Sequence, residues 1–333
     1  MCAKDIGKSV KNLRNQHDLV ITKPDKGSGA VIMNKTDYIT KMQQIIGDAT
    51  KFEHLGSVNT HDNTSKREKH LNDFLRTLYW KEDAKGKVKT KRKNKRRGKE
   101  LSESEYNFIR PVGSQRPRLY GLPKTHKTGT PLRPILSLVG SAEHSLAKFL
   151  NTLLEPVTMR FSDHTIKDSF TFANFIRTTP AENTYMVSFD VQSLFTNVPL
   201  KETIDICAET LYHKDNNLAL QKSSFIKLMN LATSEIEFSF SGEMYRQTDG
   251  VAMGSPLGPT LANILMGYLE ESYFQNNQKP LVYFRYVDDC FILFNNKEEC
   301  DGMFSTFNTL HPSIKFTKEV ETNDNLPFLD VFV

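Results

Sequence analysis

Apolar and polar positions alternate and cluster along this chain in ways that predict most of its elements. Leu19-Val-Ile-Thr22 and Ala30-Val-Ile-Met33 are short apolar runs around Lys23-Pro-Asp-Lys-Gly-Ser-Gly29, whose turn residues predict a hairpin. Tyr38, Met42, Ile45 and Ile46 recur at helical spacing, as do Leu71, Phe74, Leu75 and Leu78 ahead of Tyr79-Trp80. Ser102 and Glu105 form a capping box for a short helix that Pro111 closes. Arg118–Pro123 and Pro131–Leu138 flank Lys124–Gly129 and predict a second hairpin with a cationic tip. Leu146, Phe149, Leu150, Leu153 and Leu154 mark a helix stopped near Pro156. Tyr185–Asp190 alternates as a strand, and Pro256 and Pro259 introduce a long helix through Leu261, Ile264, Leu265, Tyr268 and Leu269. Leu281–Tyr286 and Cys290–Phe294 are apolar runs around Val287-Asp-Asp289. Helices mixed with antiparallel strands predict an α+β fold.

Composition adds little to this until charge is mapped. The chain has 333 residues, enough for two domains or one multi-lobed unit, and its 22 Phe and 11 Tyr suffice for a packed core. No stretch of eighteen uninterrupted apolar residues occurs, so no membrane partner is expected, and the N-terminus lacks the apolar region of a secretory signal. The 4 Cys show no C-x-x-C spacing, which points to reduced thiols, without zinc or disulfides, in the nucleus or cytoplasm. The net charge of +5 is unevenly placed. Lys81–Glu100 holds eleven Lys/Arg against three Asp/Glu, net +8, so the other 313 residues carry −3. Such a block is too polar and self-repelling to fold alone. It reads as a solvated linker, as a nucleic-acid contact through Lys91, Arg92, Arg96 and Arg97, or as a nuclear-import signal.

The chemistry concentrates at three carboxylates. Asp288 and Asp289 interrupt two apolar β-forming runs, and burying them as ions would be costly, so they belong at a hairpin tip near cations or water. A plain two-residue turn would also accept Asp there. In the strand Tyr185–Asp190, Tyr185, Val187 and Phe189 share one face and Asp190 takes the other. A strand ending in Asp beside an Asp-Asp hairpin can bring three carboxylates to one point. Hard oxygen ligands of this kind suit Mg²⁺, and two such ions can serve phosphoryl transfer. The same pair of motifs fits other acidic sites, nucleases among them.

The residues also carry a family resemblance. Tyr286-Val-Asp-Asp289 resembles the Y-x-D-D signature of reverse transcriptases, and Phe189-Asp-Val-Gln-Ser-Leu-Phe195 resembles their first catalytic motif. Asp249-Gly-Val-Ala-Met-Gly-Ser-Pro256 with the helix beyond resembles the glycine-rich element between them, and Arg118–Lys127 and Leu132–Ser137 resemble the fingers motifs. Together with Lys23-Pro-Asp-Lys-Gly27, Leu194-Phe-Thr-Asn-Val-Pro199 and Leu326-Pro-Phe-Leu-Asp-Val331, these look like the Penelope-like retroelements, whose polymerases are related to telomerase catalytic subunits. Met253 stands where many reverse transcriptases have Gln, and Met-Gly fits this subfamily.

The resemblance implies a right-hand polymerase fold with fingers, a palm whose sheet is antiparallel, and a thumb mostly missing. Residues 1–80 would be an N-terminal extension and fingers, 81–101 a basic flexible segment, and 102–333 the reverse transcriptase fingers and palm. It implies RNA-directed DNA synthesis with two Mg²⁺, or Mn²⁺ in their place, on an RNA template, a DNA primer and dNTPs. Asp190, Asp288 and Asp289 would be catalytic and, with the backbone of Val191, hold metal. Lys124 and Arg133 would grip the triphosphate, with solvated surface cations as the plainer reading. Gly254 and Ser255 would approach the nucleotide, or merely form a tight turn. Phe195 would lie beneath the sugar, or fill the core. Lys23, Lys26 and Lys127 would touch nucleic acid, and Lys315 or Lys318 would be the general acid. A non-catalytic nucleic-acid-binding remnant of a retroelement is the alternative.

Overall fold

The fold is that of a computed structural model describing residues 16–79, 100–179, 184–213, 218–323, 325–329 and 331–333. The first hairpin forms as predicted, β1 (Leu19–Thr22) against β2 (Val31–Asn34), with Ile21 opposite Ile32. Asn34 caps α1 (Lys35–Ile46) by accepting from the Thr36 N–H, and Tyr38, Met42 and Ile46 form its buried face. β3 (Phe52–Ser57), the single turn α2 (Val58–His61) and α3 (Thr64–Leu78) follow, α3 burying Leu71, Leu75 and Leu78. The predicted capping box opens α4 (Glu103–Ile109): Ser102 accepts from the Glu105 N–H, and the Glu105 carboxylate accepts from the Ser102 N–H at 2.7 Å.

The basic block with Lys91, Arg92, Arg96 and Arg97 lies outside the described residues, but its flanks are informative. Tyr79 bridges Leu101, and the N–H groups of Glu100 and Leu101 both donate to the Leu78 carbonyl, at 3.2 and 3.3 Å. Tyr79 stacks on Tyr106 with ring centroids 4.3 Å apart. Leu71, Leu75 and Leu78 share one hydrophobic cluster with Leu101, Tyr106 and Leu146. The chain before the block and the chain after it therefore pack into the same core.

β4 (Arg118–Pro123) and β5 (Leu132–Ser137) make the second hairpin, with Leu122 opposite Arg133. The first helix docks on it at Gly121. A Cβ there would sit 2.6 Å from the Met42 sulfur and force Met42 to shift, and the Gly121 N–H donates to the Tyr38 hydroxyl at 2.6 Å, so glycine lets the helix pack closely. α5 (His144–Leu153) does stop before Pro156, but that proline then sits in the first turn of a further helix, α6 (Glu155–Arg160), where no N–H is needed. Asp168 caps α7 (Ser169–Ile176) through the Thr171 N–H.

β6 (Tyr185–Val191) leads through the turn α8 (Leu194–Asn197) into α9 (Leu200–Leu211) and α10 (Lys222–Thr233). A third hairpin, β7 (Ile236–Phe240) and β8 (Glu243–Gln247), turns at Ser241-Gly242, both at positive φ (49° and 89°). With it, β3, β8, β7, β4 and β5 form a five-stranded sheet, mixed because β4 meets β7 in parallel. α11 (Gly258–Asn276), β9 (Val282–Tyr286), β10 (Asp289–Phe294), α12 (Lys297–Leu310) and β11 (Phe316–Val320) complete the second sheet, and a small ladder, β12 (Pro327–Phe328) with β13 (Val331–Phe332), follows. The second sheet runs β11-β6-β10-β9, every pair antiparallel, as expected. Val187, Phe189, Cys290 and Ile292 pack one face against Leu261, Leu265 and Phe307 of the helices. Met186, Phe291 and Leu293 pack the other against Phe172, Leu326 and Phe328. Both faces are buried, and the strand ends that carry carboxylates are left open. Among the described residues, no helix is long and apolar enough to cross a membrane.

Candidate active site

The β9–β10 connection is tighter than the sequence suggested. Tyr286 pairs with Asp289, so the loop is Val287-Asp288 and Asp289 already belongs to the strand. Val287 has φ +58°, a left-handed conformation that a β-branched side chain resists, at about 1–3 kcal/mol. Two contacts hold it. The Arg285 guanidinium donates to the Val287 carbonyl at 3.2 Å, and the Val191 N–H donates to the Asp288 carbonyl at 3.0 Å. Arg285 is itself fully buried, donating to Glu270 Oε1 at 2.5 Å and Asn263 Oδ1 at 2.8 Å, while the Tyr283 hydroxyl donates to the same Glu270 oxygen at 2.7 Å. A charged residue inside an apolar strand, with a glutamate inside an apolar helix, was the sequence signal for this anchor. Each alone is an isolated polar interruption, and nothing local pairs the two.

Asp190 stands directly opposite Asp289 in the β6–β10 ladder, which puts both side chains on one face. Burial, then the charges of Asp288 and Asp190, push the Asp289 carboxyl up to about 7. Burial and Asp190 likewise raise Asp288, while Arg133 and Lys124 pull it down. Those two cations come from the β4–β5 hairpin and Lys26, which acts on Asp289, comes from the β1–β2 loop. Burial, then Arg133 and Lys127, lower the Lys124 ammonium, whose attractive partners include Asp25 and Asp190. Two separate stretches of chain, the β4–β5 hairpin and the β1–β2 loop, thus bring cations to the carboxylates. Lys23 and Lys127 are exposed at their loops.

Other candidates have duties inside the fold. Gly254, at φ +126°, passes so close to β5 that a Cβ would lie 2.6 Å from the Leu136 carbonyl oxygen. Ser255 is buried, its hydroxyl accepting from the Leu257 N–H at 3.3 Å. Phe195 is half-buried against the core, beside Gly258, and its carbonyl accepts from the Val251 N–H at 2.7 Å. The Lys315 ammonium donates to the Asn308 carbonyl at 2.7 Å. Lys318 pairs with Asp301, and it stands opposite Phe189, on the face away from Asp190. Neither lysine is directed to the carboxylates.

Among the described residues, no group of three or more His, Cys, Asp or Glu side chains is arranged as a metal cage, so the three carboxylates do not converge as a ready-made set. Mg²⁺ does not require one, because it binds through one or two carboxylates and completes its shell with water and substrate phosphates. The paired Asp190 and Asp289, with Asp288 beside them, repel one another, and a divalent cation relieves that repulsion. The donor chemistry fits.

An antiparallel sheet thus carries carboxylates at a hairpin tip, with cations from a second hairpin acting on them. Among solved structures, two telomerases have a similar overall fold. Apo telomerase from Candida tropicalis superposes with a TM-score of 0.59 at 10% identity, over 97% of this chain and 56% of that one. Telomerase from Candida albicans, in complex with the TWJ fragment of telomeric RNA, gives 0.61 at 11%, over 96% and 53%. This chain spans little more than half the length of either. No curated protein sequence matches it. Residues 125–317 match the model of the reverse transcriptase (RNA-dependent DNA polymerase) family, and the chain belongs to that family, a group of nucleotidyltransferases.

Proposed function

We propose that this chain is the catalytic core of an RNA-directed DNA polymerase of a Penelope-like retrotransposon. It adds dNMP to a primer 3′-hydroxyl on an RNA template and releases pyrophosphate. The observation that carries this reading is the side-by-side placement of Asp190 and Asp289, with Asp288 on the tip between strands and Lys124 and Arg133 acting on Asp288. In this reading the five-stranded sheet belongs to the fingers and the four-stranded sheet to the palm. Asp190, Asp288 and the Val191 backbone would hold two Mg²⁺, with Asp289 supporting. When bound, the ions supply charge that activates the attacking oxygen and stabilises the leaving one. Arg133 offers a planar fork to phosphate oxygens and Lys124 a point charge. The basic block would contact template phosphates and direct the protein to the nucleus.

Primer extension on an RNA template with dNTPs and Mg²⁺ tests the reading. Asp190→Asn and Asp288→Asn keep the shape but remove charge, so each abolishes extension while template affinity survives. Near-wild-type turnover in either variant refutes the assignment, and template binding without extension by the unmodified chain favours a non-catalytic remnant.

A further inference from the structure

The loop between β1 and β2 contributes a carboxylate that the chemistry above does not use. The Asp25 side chain is 2% exposed, yet its Oδ1 lies 3.2 Å from Nη1 of Arg133, whose side chain stays 40% exposed. The Asp25 N–H donates to the Pro123 carbonyl at 2.9 Å, which clamps the loop to the end of β4, next to Lys124. Gly27 and Gly29, at φ +81° and +120°, turn the chain away again. Asp25 Oδ2 is buried with no hydrogen-bond partner among the described residues. A buried carboxylate with an unmade bond is expensive, and the Arg133 cation at 3.2 Å, aided by the charge of Lys124, offsets it.

We propose that Asp25 is a positioning residue: it holds one edge of the Arg133 guanidinium so that its remaining donors face the triphosphate of the incoming nucleotide. This rests on the polymerase reading of the site. Arg133 also acts on the Asp288 carboxylate. Without a fixed counter-charge, a long cationic side chain this close to acidic groups falls onto them and is lost to the substrate. Asp25 supplies that counter-charge from the fingers side. The guanidinium has five donors in a fixed plane, so fixing one edge orients the rest.

The test uses the full chain with an RNA–DNA template–primer presenting G. Affinity for dCTP is read with Ca²⁺ in place of Mg²⁺, so that binding is measured without turnover. KM and kcat are then read with Mg²⁺, and thermal melts accompany both. Asp25→Asn should weaken dCTP binding about tenfold, the scale of one charge-assisted contact, and raise KM by a similar factor while kcat changes little. Arg133→Gln should do the same, and the double variant should bind no more weakly than Arg133→Gln alone. Asp25→Glu should recover part of the loss. Unchanged dCTP affinity in Asp25→Asn, additive losses in the double variant, or a variant too unstable to fold at the assay temperature each overturn the inference. So does a wild-type chain that binds no dCTP. A wild-type chain that binds dCTP and shows the coupling, but never extends a primer, overturns the polymerase reading and leaves the Asp25–Arg133 pairing intact.

Discussion

Arg285→Met removes the anchor of the Asp288 turn, and its effect can be worked from the contacts. The guanidinium is fully buried and pairs with Glu270, whose carboxylate is 2% exposed. Deleting one partner leaves a deep charge uncompensated, at about 3–5 kcal/mol. For a chain of this size, each kcal/mol moves the melting temperature by roughly 2–4 °C, so a fall on the order of 10 °C is expected. Adding Glu270→Gln removes the stranded charge and keeps an oxygen for the Tyr283 hydroxyl, so the double variant should regain most of the lost melting temperature. It should not regain activity, because the Val287 carbonyl still lacks its donor and the strained turn carrying Asp288 is unsupported. The assays are thermal melts and single-nucleotide extension, with template affinity as the control. A single variant melting within about 1 °C of wild type would contradict the buried-charge argument. A double variant with restored extension would show that the turn needs no anchor from Arg285.

Phe195→Ala separates a sugar gate from a packing role: a gate raises rNTP use relative to dNTP, with a smaller loss of stability than the about 3–5 kcal/mol of a fully buried Phe. An unchanged ratio in a folded variant removes the gate. Replacing Lys81–Lys99 by a short neutral link should flatten the dependence of log affinity on log salt by roughly 0.7 per lost phosphate contact, and an unchanged slope returns the block to a spacer. In metal-free buffer, the raised Asp289 carboxyl means that the native chain retains a proton that the unfolded chain releases near about pH 4. That contribution is complete below about pH 4 and fades as pH rises through about 7, so melting temperature should fall over this window. Asp289→Asn should flatten the profile, and parallel curves for the two proteins would count against it.

Much of this was legible because local chemistry settled it. The Lys23–Gly29 and Lys124–Gly129 loops carry turn residues between apolar runs, and Ser102 with Glu105 spells a helix start. Strand alternation alone placed Asp190 opposite the Val187–Phe189 face. The β7–β8 hairpin is absent from the sequence reading although Ser241-Gly242 follows the alternating run Ile236–Phe240, because the adjacent Met244 and Tyr245 break the alternation beyond it. The split at Pro156 was read as an end because a proline both stops and starts helices. What no local pattern contains is distance: nothing near Asp25 says that it meets Arg133, some hundred residues on, nor does anything around Glu270 name Arg285. The Val287-Asp288 turn is likewise held by the Val191 N–H on the Asp288 carbonyl, a contact between segments far apart in the chain.

The junction of Tyr79 with Leu101 has a consequence for how such chains change over generations. Two points that already touch make a socket: whatever joins them closes a loop whose ends the core has brought together. Closure free energy grows only with the logarithm of loop length, about 0.6 kcal/mol per doubling. Length and composition there can drift, expand or accept a folded module with little strain on the polymerase body. The core and its insertion can therefore be selected separately, one for chemistry and the other for whatever the protein must reach.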